Sequence, residues 1–332
     1  MTIILKINER YICKKKLKVA ADAIKKGQLV VFPTETVYGL GASAYNPKAC
    51  KKIFEVKGRP ADNPLIVHVA NIKQAKKIAE FNPIARKLAK LWPAPLTLVL
   101  RKKDKKIPKI VTAGLDTIAI RIPRHRVALE LIKASRPIAA PSANISGTPS
   151  GTTLRHIIDD FFGKVSVIID SGIARYGLES TIVDLSRGKA ILLRPGSLPA
   201  EKISKIVELE IPPEAKALKK AKKAIAPGMK YRHYSPSVPV IVVENEKEKN
   251  IKRIAEEYKQ SKLRVALIAS KNYAKLRLFK KFKTERHFAK HLFAWLRFFD
   301  KKSDVIIVEA VKEHGLGLAI MNRLRKAATK II

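Results

Sequence analysis

Residues 137–153 read PIAAPSANISGTPSGTT, a stretch of small, hydroxyl-bearing and turn-forming residues with no acid and no base. Three prolines fix backbone φ angles and two glycines permit positive φ, so the composition predicts a rigid loop. Backbone N–H groups in such turns can form a nest for an anion. The stretch therefore leaves two alternatives open: a loop around a polar ligand, or a surface loop in which Thr152 or Thr153 caps the next helix.

Apolar segments on both sides of this loop predict an α/β fold. Residues 127–134 and 154–162 have the periodicity of helices, and residues 29–32 form a short apolar run typical of a buried strand. The segment TIAIRI at 117–122 alternates, which places Thr117, Ala119 and Arg121 on one face of a strand. Because many predicted strands follow one another without a helix between them, we expect a twisted mixed sheet with flanking helices.

The composition changes from Ile211 onward, which predicts a second domain. A Lys/Ala-rich run leads into APGMKYRHYSPSVP at 226–239, which is richer in aromatic residues and proline than a plain spacer. Beyond it, predicted strands and helices alternate, as in a small Rossmann-like doubly wound domain. We therefore expect a catalytic domain at 1–205, a linker that contacts the site at 206–237, and a C-terminal domain at 238–332.

Charge and cysteine content restrict the class of protein. The 332 residues carry a formal net charge of +40, spread over both predicted domains, which predicts salt-sensitive, non-specific attraction to RNA. The two cysteines form no CxxC pair, which is typical of a reducing cytoplasm. No apolar run is long enough to span a membrane, so we expect a cytoplasmic protein with no membrane partner.

Polar and basic residues follow several predicted strands and helices. Thr34 follows Pro33 at the end of the apolar run at 29–32, Lys57 and Arg59 flank Gly58 at a helix end, and Arg194 ends a strand. Such groups at the ends of strands suit a polyphosphate ligand. The chain has no P-loop, and the GxGxxA pattern at 39–44 begins seven residues after its strand, so neither common nucleotide fingerprint applies.

Seven sequence blocks together resemble the threonylcarbamoyl-AMP synthase family, in its two-domain form with a YrdC-like first domain. The blocks are FPTETVYGLGASA, KGRPADNPLIVHV, LWPAPLTLVL, TIAIRIP, PSANISGTPSGTT, GLESTIVDL and RPGS. APGMKYRHYSP and GLGLAIMNRLRKAA resemble the rest of the longer form. The resemblance covers almost the whole chain in block order and spacing. It implies synthesis of L-threonylcarbamoyladenylate and pyrophosphate from L-threonine, bicarbonate and ATP, with Mg²⁺.

The resemblance also implies roles for individual residues. The KxR and SxN signature of the family falls on Lys57, Arg59, Ser142 and Asn144, which are expected to act in catalysis and to hold the ATP phosphates. A second group is expected to complete the nucleotide site: Asn63, Thr117, Ser150, Arg194 and Tyr231. The threonine site is expected to contain Thr34, His68, Arg121 and Ser180, with the substrate carboxylate on Arg121. The protein itself is expected to hold no metal.

We expect a mechanism based on positioning and charge. The threonine amine adds to bicarbonate, or to CO2 derived from it, and the resulting N-carboxylate attacks the α-phosphorus in line. Pyrophosphate then leaves toward Lys57, Arg59 and Mg²⁺. By the same resemblance, a separate tRNA threonylcarbamoyl transferase complex uses the product for the t6A modification next to the anticodon.

Two other functions remain open at this point. The net charge also suits a non-catalytic double-stranded RNA or tRNA binder, although the chain lacks an RNP-type aromatic platform and a GXXG clamp. A carbamoyl-transfer domain acting on another acceptor would share the first fold but lack the linker and the second domain.

Overall fold

The computed structural model of the chain describes residues 1–219, residue 227 and residues 234–332. Two sheets organise these residues, and each collects helices on both faces. We refer to residues 1–219 as the N-terminal unit and to residues 234–332 as the C-terminal unit. The predicted mixed α/β fold with a second, smaller doubly wound part is confirmed, whereas the boundaries at residues 205 and 237 stay predictions.

The N-terminal unit is built around an eleven-stranded sheet. Its strands are β1 (Ile3–Lys6), β2 (Val30–Phe32), β3 (Gly39–Ser43), β4 (Ile66–His68), β5 (Leu96–Arg101), β6 (Thr117–Arg121), β7 (Ile138–Ala140), β8 (Val167–Asp170), β9 (Thr181–Asp184), β10 (Ala190–Arg194) and β11 (Leu209–Glu210). They lie in the order β1-β8-β2-β3-β7-β4-β6-β5-β9-β10-β11. The sheet is mixed, since β4 and β6 are parallel whereas β2 and β3 are antiparallel.

Helices cover this sheet on both sides. They are α1 (Lys14–Lys25), α2 (Pro47–Lys57), α3 (Ile72–Ile78), α4 (Pro83–Ala89), α5 (Lys109–Thr112), α6 (Arg126–Ala134), α7 (Leu154–Phe161) and α8 (Ala200–Ser204). Apolar residues of α1 and α6 pack with β1, β2, β7 and β8 in one core, while those of α2 to α5 join a larger core on the other side. Burial of these apolar faces is the main force that closes the layers.

The C-terminal unit has five parallel strands: β12 (Val240–Val243), β13 (Val265–Ala269), β14 (Leu278–Lys281), β15 (Val305–Glu309) and β16 (Lys330–Ile331). Its helices are α9 (Lys247–Gln260), α10 (Glu285–Asp300) and α11 (Gly317–Ala327). Alternate residues of β12 pack against α9 on one face and against α10 and α11 on the other. This two-sided burial explains why the sequences of β12 and β13 are apolar throughout.

Residues 137–153 contain more regular structure than their composition indicates. Residues 138–140 form β7, which pairs with β3 and β4, so the loop begins only at Pro141. The loop ends at Thr153, whose side chain accepts a hydrogen bond from the backbone N–H of His156 and caps α7. The expected capping role is therefore confirmed for Thr153. Gly39 and Gly41 of the GxGxxA pattern lie inside β3. A Cβ at Gly41 would clash with Phe32 and Ile138, so close packing within the sheet accounts for this glycine.

The two units contact each other closely beside this loop. Arg297 of α10 reaches the N-terminal unit, where its guanidinium lies 2.5 Å from a carboxylate oxygen of Asp160 and donates to the carbonyl of Pro149. Gly177 has φ +78°, and a Cβ there would lie 2.4 Å from the carbonyl oxygen of Lys290. A glycine is required at this contact for both reasons. These contacts hold the C-terminal unit against Pro149, Asp160 and Gly177, and Pro149 and Gly177 lie close in sequence to the predicted site residues Ser150 and Ser180.

Candidate active site

A cleft lies against one face of the N-terminal sheet; its empty space, including the part open to solvent, is about 640 Å³. His68 of β4 pairs with Arg121 of β6, and Ile66 pairs with Ala140 of β7. Paired residues point to the same face of a sheet, so these side chains form one wall. The cleft thus runs across the sheet face rather than only past the ends of strands.

One end of the cleft is formed by the C-terminus of α2 and the loop after β7. Lys57 is the last residue of α2, and Gly58 in the left-handed conformation turns the chain toward Arg59. The Lys57 ammonium donates to the carbonyl oxygens of Ser142, at 2.7 Å, and Asn144. The loop orders itself as well, since Ser142 Oγ donates to Asn144 Oδ1 at 2.6 Å. The two signature pairs expected from the sequence therefore lie next to each other.

Electrostatics make this end receptive to an anion. Burial and the neighbouring Arg59 hold the pKa of Lys57 well below its usual range. The Arg59 guanidinium donates to the carbonyls of Asn63 and Pro64, which fixes it close to Lys57. Two cations held together out of water repel each other, and a phosphate between them would relieve that repulsion. The arrangement can therefore stabilise negative charge that develops on a phosphoryl group.

The other end of the cleft contains a buried ion pair. Arg121 Nη2 lies 2.8 Å from Glu35 Oε1, and the two side chains are only 5% and 2% exposed. Among the described residues Arg121 Nε has no hydrogen-bond partner, which leaves a donor for a carboxylate. Thr34 Oγ1 donates to the carbonyl of Val37 and also contacts Thr36 Oγ1 at 2.8 Å. This end combines a positive group with hydroxyls, as an amino-acid site requires.

His68 lies beside Arg121 and is neutral in the folded protein. Burial first, and the adjacent Arg121 second, lower the pKa of His68 to about 3. Its Nδ1 is buried without a hydrogen-bond partner among the described residues. The imidazole can therefore serve as a neutral hydrogen-bonding group toward a ligand at ordinary pH.

The low pKa of His68 predicts a pH-dependent loss of stability. The unfolded chain binds a proton at this histidine below pH about 6.5, whereas the folded chain does so only near pH 3, so stability falls as pH drops between these values. At pH 5 the His68 contribution is expected to be about 2 kcal/mol smaller than at pH 7.5. Denaturant unfolding of the wild type and His68→Gln across this range measures the difference.

The matched control is His314→Gln, because the side chain of His314 is 84% exposed. This control should keep the wild-type dependence of unfolding free energy on pH, whereas His68→Gln should flatten it. Equal slopes for the wild type and His68→Gln would show that His68 is not held neutral.

A third wall connects the cleft to the C-terminal unit. Arg194 at the end of β10 donates to the carbonyls of Ser180, at 2.9 Å, and Pro227. Burial lowers the pKa of Arg194. Glu179 also lines the cleft; burial alone would raise the pKa of its carboxyl, but Arg323 and Arg194 lower it. The four cations of Lys57, Arg59, Arg121 and Arg194 outnumber the carboxylates of Glu179 and Glu35, so the cleft favours an anionic ligand.

The structure brings most of the predicted site residues together. The cleft is lined by Thr34, Lys57, Arg59, His68, Arg121, Ser142, Asn144, Ser180 and Arg194. Asn63, Thr117 and Ser150 do not line it. Asn63 is buried near Arg59, Thr117 lies at the far end of β6, and Ser150 donates to Glu179. Tyr231 lies outside the described residues, so its predicted contact stays a prediction.

Reasoning from the sequence missed two residues of this wall. Glu179 is part of the GLESTIVDL block, but no role was predicted for it. An acidic residue directly before a serine and a buried strand is a usable signal of a functional site. Tyr234 lines the cleft, whereas only Tyr231 of the linker had been expected there. The remaining lining residues carry no charge, and several of them, such as Gly39, Ala140 and Ser146, are small, which fits close approach of a ligand to the backbone. Among the described residues no cluster of three His, Cys, Asp or Glu side chains could hold a metal ion.

Comparison with known protein families matches both units. A model that covers Sua5, YciO and YrdC proteins, described as telomere recombination, matches residues 22–196. A model described as the C-terminal domain of threonylcarbamoyl-AMP synthase matches residues 198–329. The described residues contain no helix that is long and apolar enough to cross a membrane.

Individual relatives match along the full length. The chain is 51% identical to threonylcarbamoyl-AMP synthase of Pyrococcus abyssi, over 99% of this chain and 98% of that one. It is 42% identical to the Bacillus subtilis enzyme of the same name, over 93% and 92%. The crystal structure of P. abyssi Sua5 complexed with L-threonine superimposes with a TM-score of 0.94 at 48% identity, covering 100% of this chain and 99% of that one. The chain belongs to the threonylcarbamoyl-AMP synthase family.

Proposed function

We propose that this chain makes L-threonylcarbamoyladenylate and pyrophosphate from L-threonine, bicarbonate and ATP, the first step of the t6A modification of tRNA. The observation that carries the proposal is one cleft with a cationic phosphate end at Lys57 and Arg59 and an amino-acid end at Arg121. The full-length relatives with this enzyme name support it. So does the threonine-bound structure of the P. abyssi relative.

The proposed chemistry depends on the order of groups along the cleft. Threonine lies at the Arg121 end, with its carboxylate on the guanidinium and its amine free to add to the carbon of bicarbonate or CO2. Addition forms a C–N bond and, from bicarbonate, releases water. A carbamate oxygen then attacks the α-phosphorus, and the bond to the β,γ-pyrophosphate breaks. Lys57 and Arg59 stabilise the charge that grows on the leaving oxygens.

Mg²⁺ enters this proposal with the nucleotide. The described residues offer no protein cage of acidic and histidine ligands, whereas Mg²⁺ in phosphoryl-transfer sites is commonly held by substrate phosphates and water. Mg–ATP is therefore treated as the substrate. It neutralises phosphate charge alongside the cations of the cleft.

Three further elements of the proposal concern the surroundings of the enzyme. The product passes to a tRNA threonylcarbamoyl transferase complex, because a mixed carbamic–phosphoric anhydride is an activated acyl donor that must reach its acceptor quickly. The net charge of +40 gives the chain salt-sensitive affinity for RNA. Its free cysteines, Cys13 and Cys50, support a cytoplasmic location.

Mass spectrometry of the products from L-threonine, bicarbonate and Mg–ATP tests the proposal. The expected result is a threonylcarbamoyl adenylate that carries label from ¹³C-bicarbonate, formed together with pyrophosphate and absent without threonine. ADP with inorganic phosphate, or a carbamoylated product that lacks AMP, would favour carbamoyl transfer to another acceptor. Salt-sensitive RNA binding with no ATP turnover would favour the RNA-binding alternative.

A further inference from the structure

Arg323 is a charged side chain of the C-terminal unit that is buried against the N-terminal unit. It lies on α11 and is 1% exposed. Its Nε donates to Glu179 Oε2 at 2.9 Å, and its Nη1 donates to the carbonyl of Pro195 at 2.7 Å. A second bond from Nη1 to the neighbouring Asn322 fixes the plane of the guanidinium. Burial of a guanidinium costs stability unless it has such hydrogen-bond partners. The bonds from Arg323 therefore hold Glu179 and the carbonyl of Pro195 in place.

Glu179 connects this arginine to the loop that carries Ser142 and Asn144. The other carboxylate oxygen of Glu179 accepts a hydrogen bond from Ser150 Oγ at 2.6 Å. The backbone N–H of the next residue, Gly151, donates to the carbonyl of Ala143, and its carbonyl accepts from the N–H of Tyr38. A displacement of Glu179 would therefore shift the C-terminal part of this loop and, through the bond from Gly151 to Ala143, the neighbouring carbonyls that accept from Lys57.

The same guanidinium contacts the residue where the linker enters the C-terminal unit. Its carbon Cζ lies 5.3 Å from the centre of the Tyr234 ring, within the range of a cation–π contact. The Tyr234 ring also stacks on Phe293 of α10 at 5.2 Å. Since Tyr234 and Glu179 both line the cleft, one arginine touches two residues of its lining.

We infer that Arg323 is a positioning residue through which the C-terminal unit shapes the nucleotide side of the cleft. The inference rests on the proposed function, because it takes the loop around Ser142 and Asn144 to be the nucleotide wall. It gives the C-terminal unit a part in ATP binding beyond carrying the linker. The cleft is complete only while α11 is docked, since the N-terminal unit alone would leave Glu179 without its Arg323 partner.

The test is a double-mutant cycle with Arg323→Met, Glu179→Gln and the double variant, measured in the full chain. Methionine removes the charge while filling space, and glutamine keeps an acceptor for Ser150. We expect each single change to lower kcat/KM for ATP by about 100-fold, with KM for threonine within twofold. The double variant should lie within threefold of either single variant, because both changes break the same link. Arg323→Lys should recover part of the loss.

Arg325→Gln is the matched control, since Arg325 lies on the same helix and is buried in ion pairs with Glu244 and Glu313 of the C-terminal unit. It should lower the melting temperature without changing either KM. Kinetic constants of Arg323→Met equal to those of Arg325→Gln would overturn the inference. So would a double variant whose loss of kcat/KM for ATP is the product of the two single losses.

Calorimetric ATP binding, measured in parallel, separates the inference from the proposed function. A wild-type chain that binds ATP but makes no threonylcarbamoyl adenylate rejects the function, while the effect of Arg323→Met on the Kd for ATP still decides the inference. Unchanged ATP affinity in Arg323→Met would reject the inference alone. A wild-type chain that binds no ATP would reject both.

Discussion

Lys57→Ala is expected to lower kcat/KM for ATP by about 100- to 1,000-fold, as for other groups that stabilise charge in a transition state. The change removes a fully buried cation from the phosphate end of the cleft. It also removes the two hydrogen bonds that the ammonium donates to the carbonyls of Ser142 and Asn144, so the loop loses its anchor to α2. Pyrophosphate release in the presence of ATP, bicarbonate and threonine measures the loss.

Lys52→Ala provides the control for this variant, because Lys52 is an exposed lysine of the same helix. It changes net charge and helix composition equally but touches no wall of the cleft. It should keep the activity of the wild type. Near-normal pyrophosphate release by Lys57→Ala would reject the assignment of Lys57 to the phosphates, and thermal melting of both variants shows whether either loss reflects unfolding.

Arg121→Gln is expected to affect both stability and threonine binding. Glu35 would remain as a buried carboxylate without its counter-charge, which typically costs about 3 to 5 kcal/mol of unfolding free energy. The affinity for threonine should fall about 100-fold, because the charge-assisted hydrogen bonds to its carboxylate are lost. Denaturant unfolding and threonine binding calorimetry give the two quantities separately.

The double variant Arg121→Gln/Glu35→Gln separates the two effects. It removes the unpaired buried charge and should recover most of the lost stability, since two neutral amides can bond to each other. It should not recover threonine affinity, because the cation is still missing. A double variant that binds threonine like the wild type would show that the substrate carboxylate lies elsewhere.

The fold class followed from local patterns in the sequence. The alternation of TIAIRI correctly places Thr117, Ala119 and Arg121 on one face of β6, because side chains of a strand alternate whatever surrounds them. After residue 238, apolar runs alternate with segments of helical periodicity. This alternation correctly predicted parallel strands covered by helices on both faces. Thr153 is also correct as a cap, since capping depends only on a hydroxyl next to the first helical turn.

Local composition misled where pairing partners came from far away in the chain. Residues 138–140 sit in a stretch rich in turn formers, yet they form β7 because β3 and β4 offer hydrogen-bond partners on both sides. The glycines of β3 imitate a nucleotide motif but serve close packing against Phe32. Neither outcome can be read from a window of ten residues, because strand pairing is decided by distant neighbours.

The sequence by itself determined the family, the cationic residues of the cleft and the hydroxyl-rich loop, because motif order and residue chemistry survive without coordinates. Only the tertiary structure decided which of these groups meet. It placed His68 beside Arg121 through strand register, and it buried Arg323 against Glu179 from 144 residues away. The physical reason is that an ion pair across two units depends on how two cores dock, and no local propensity of either segment records that docking.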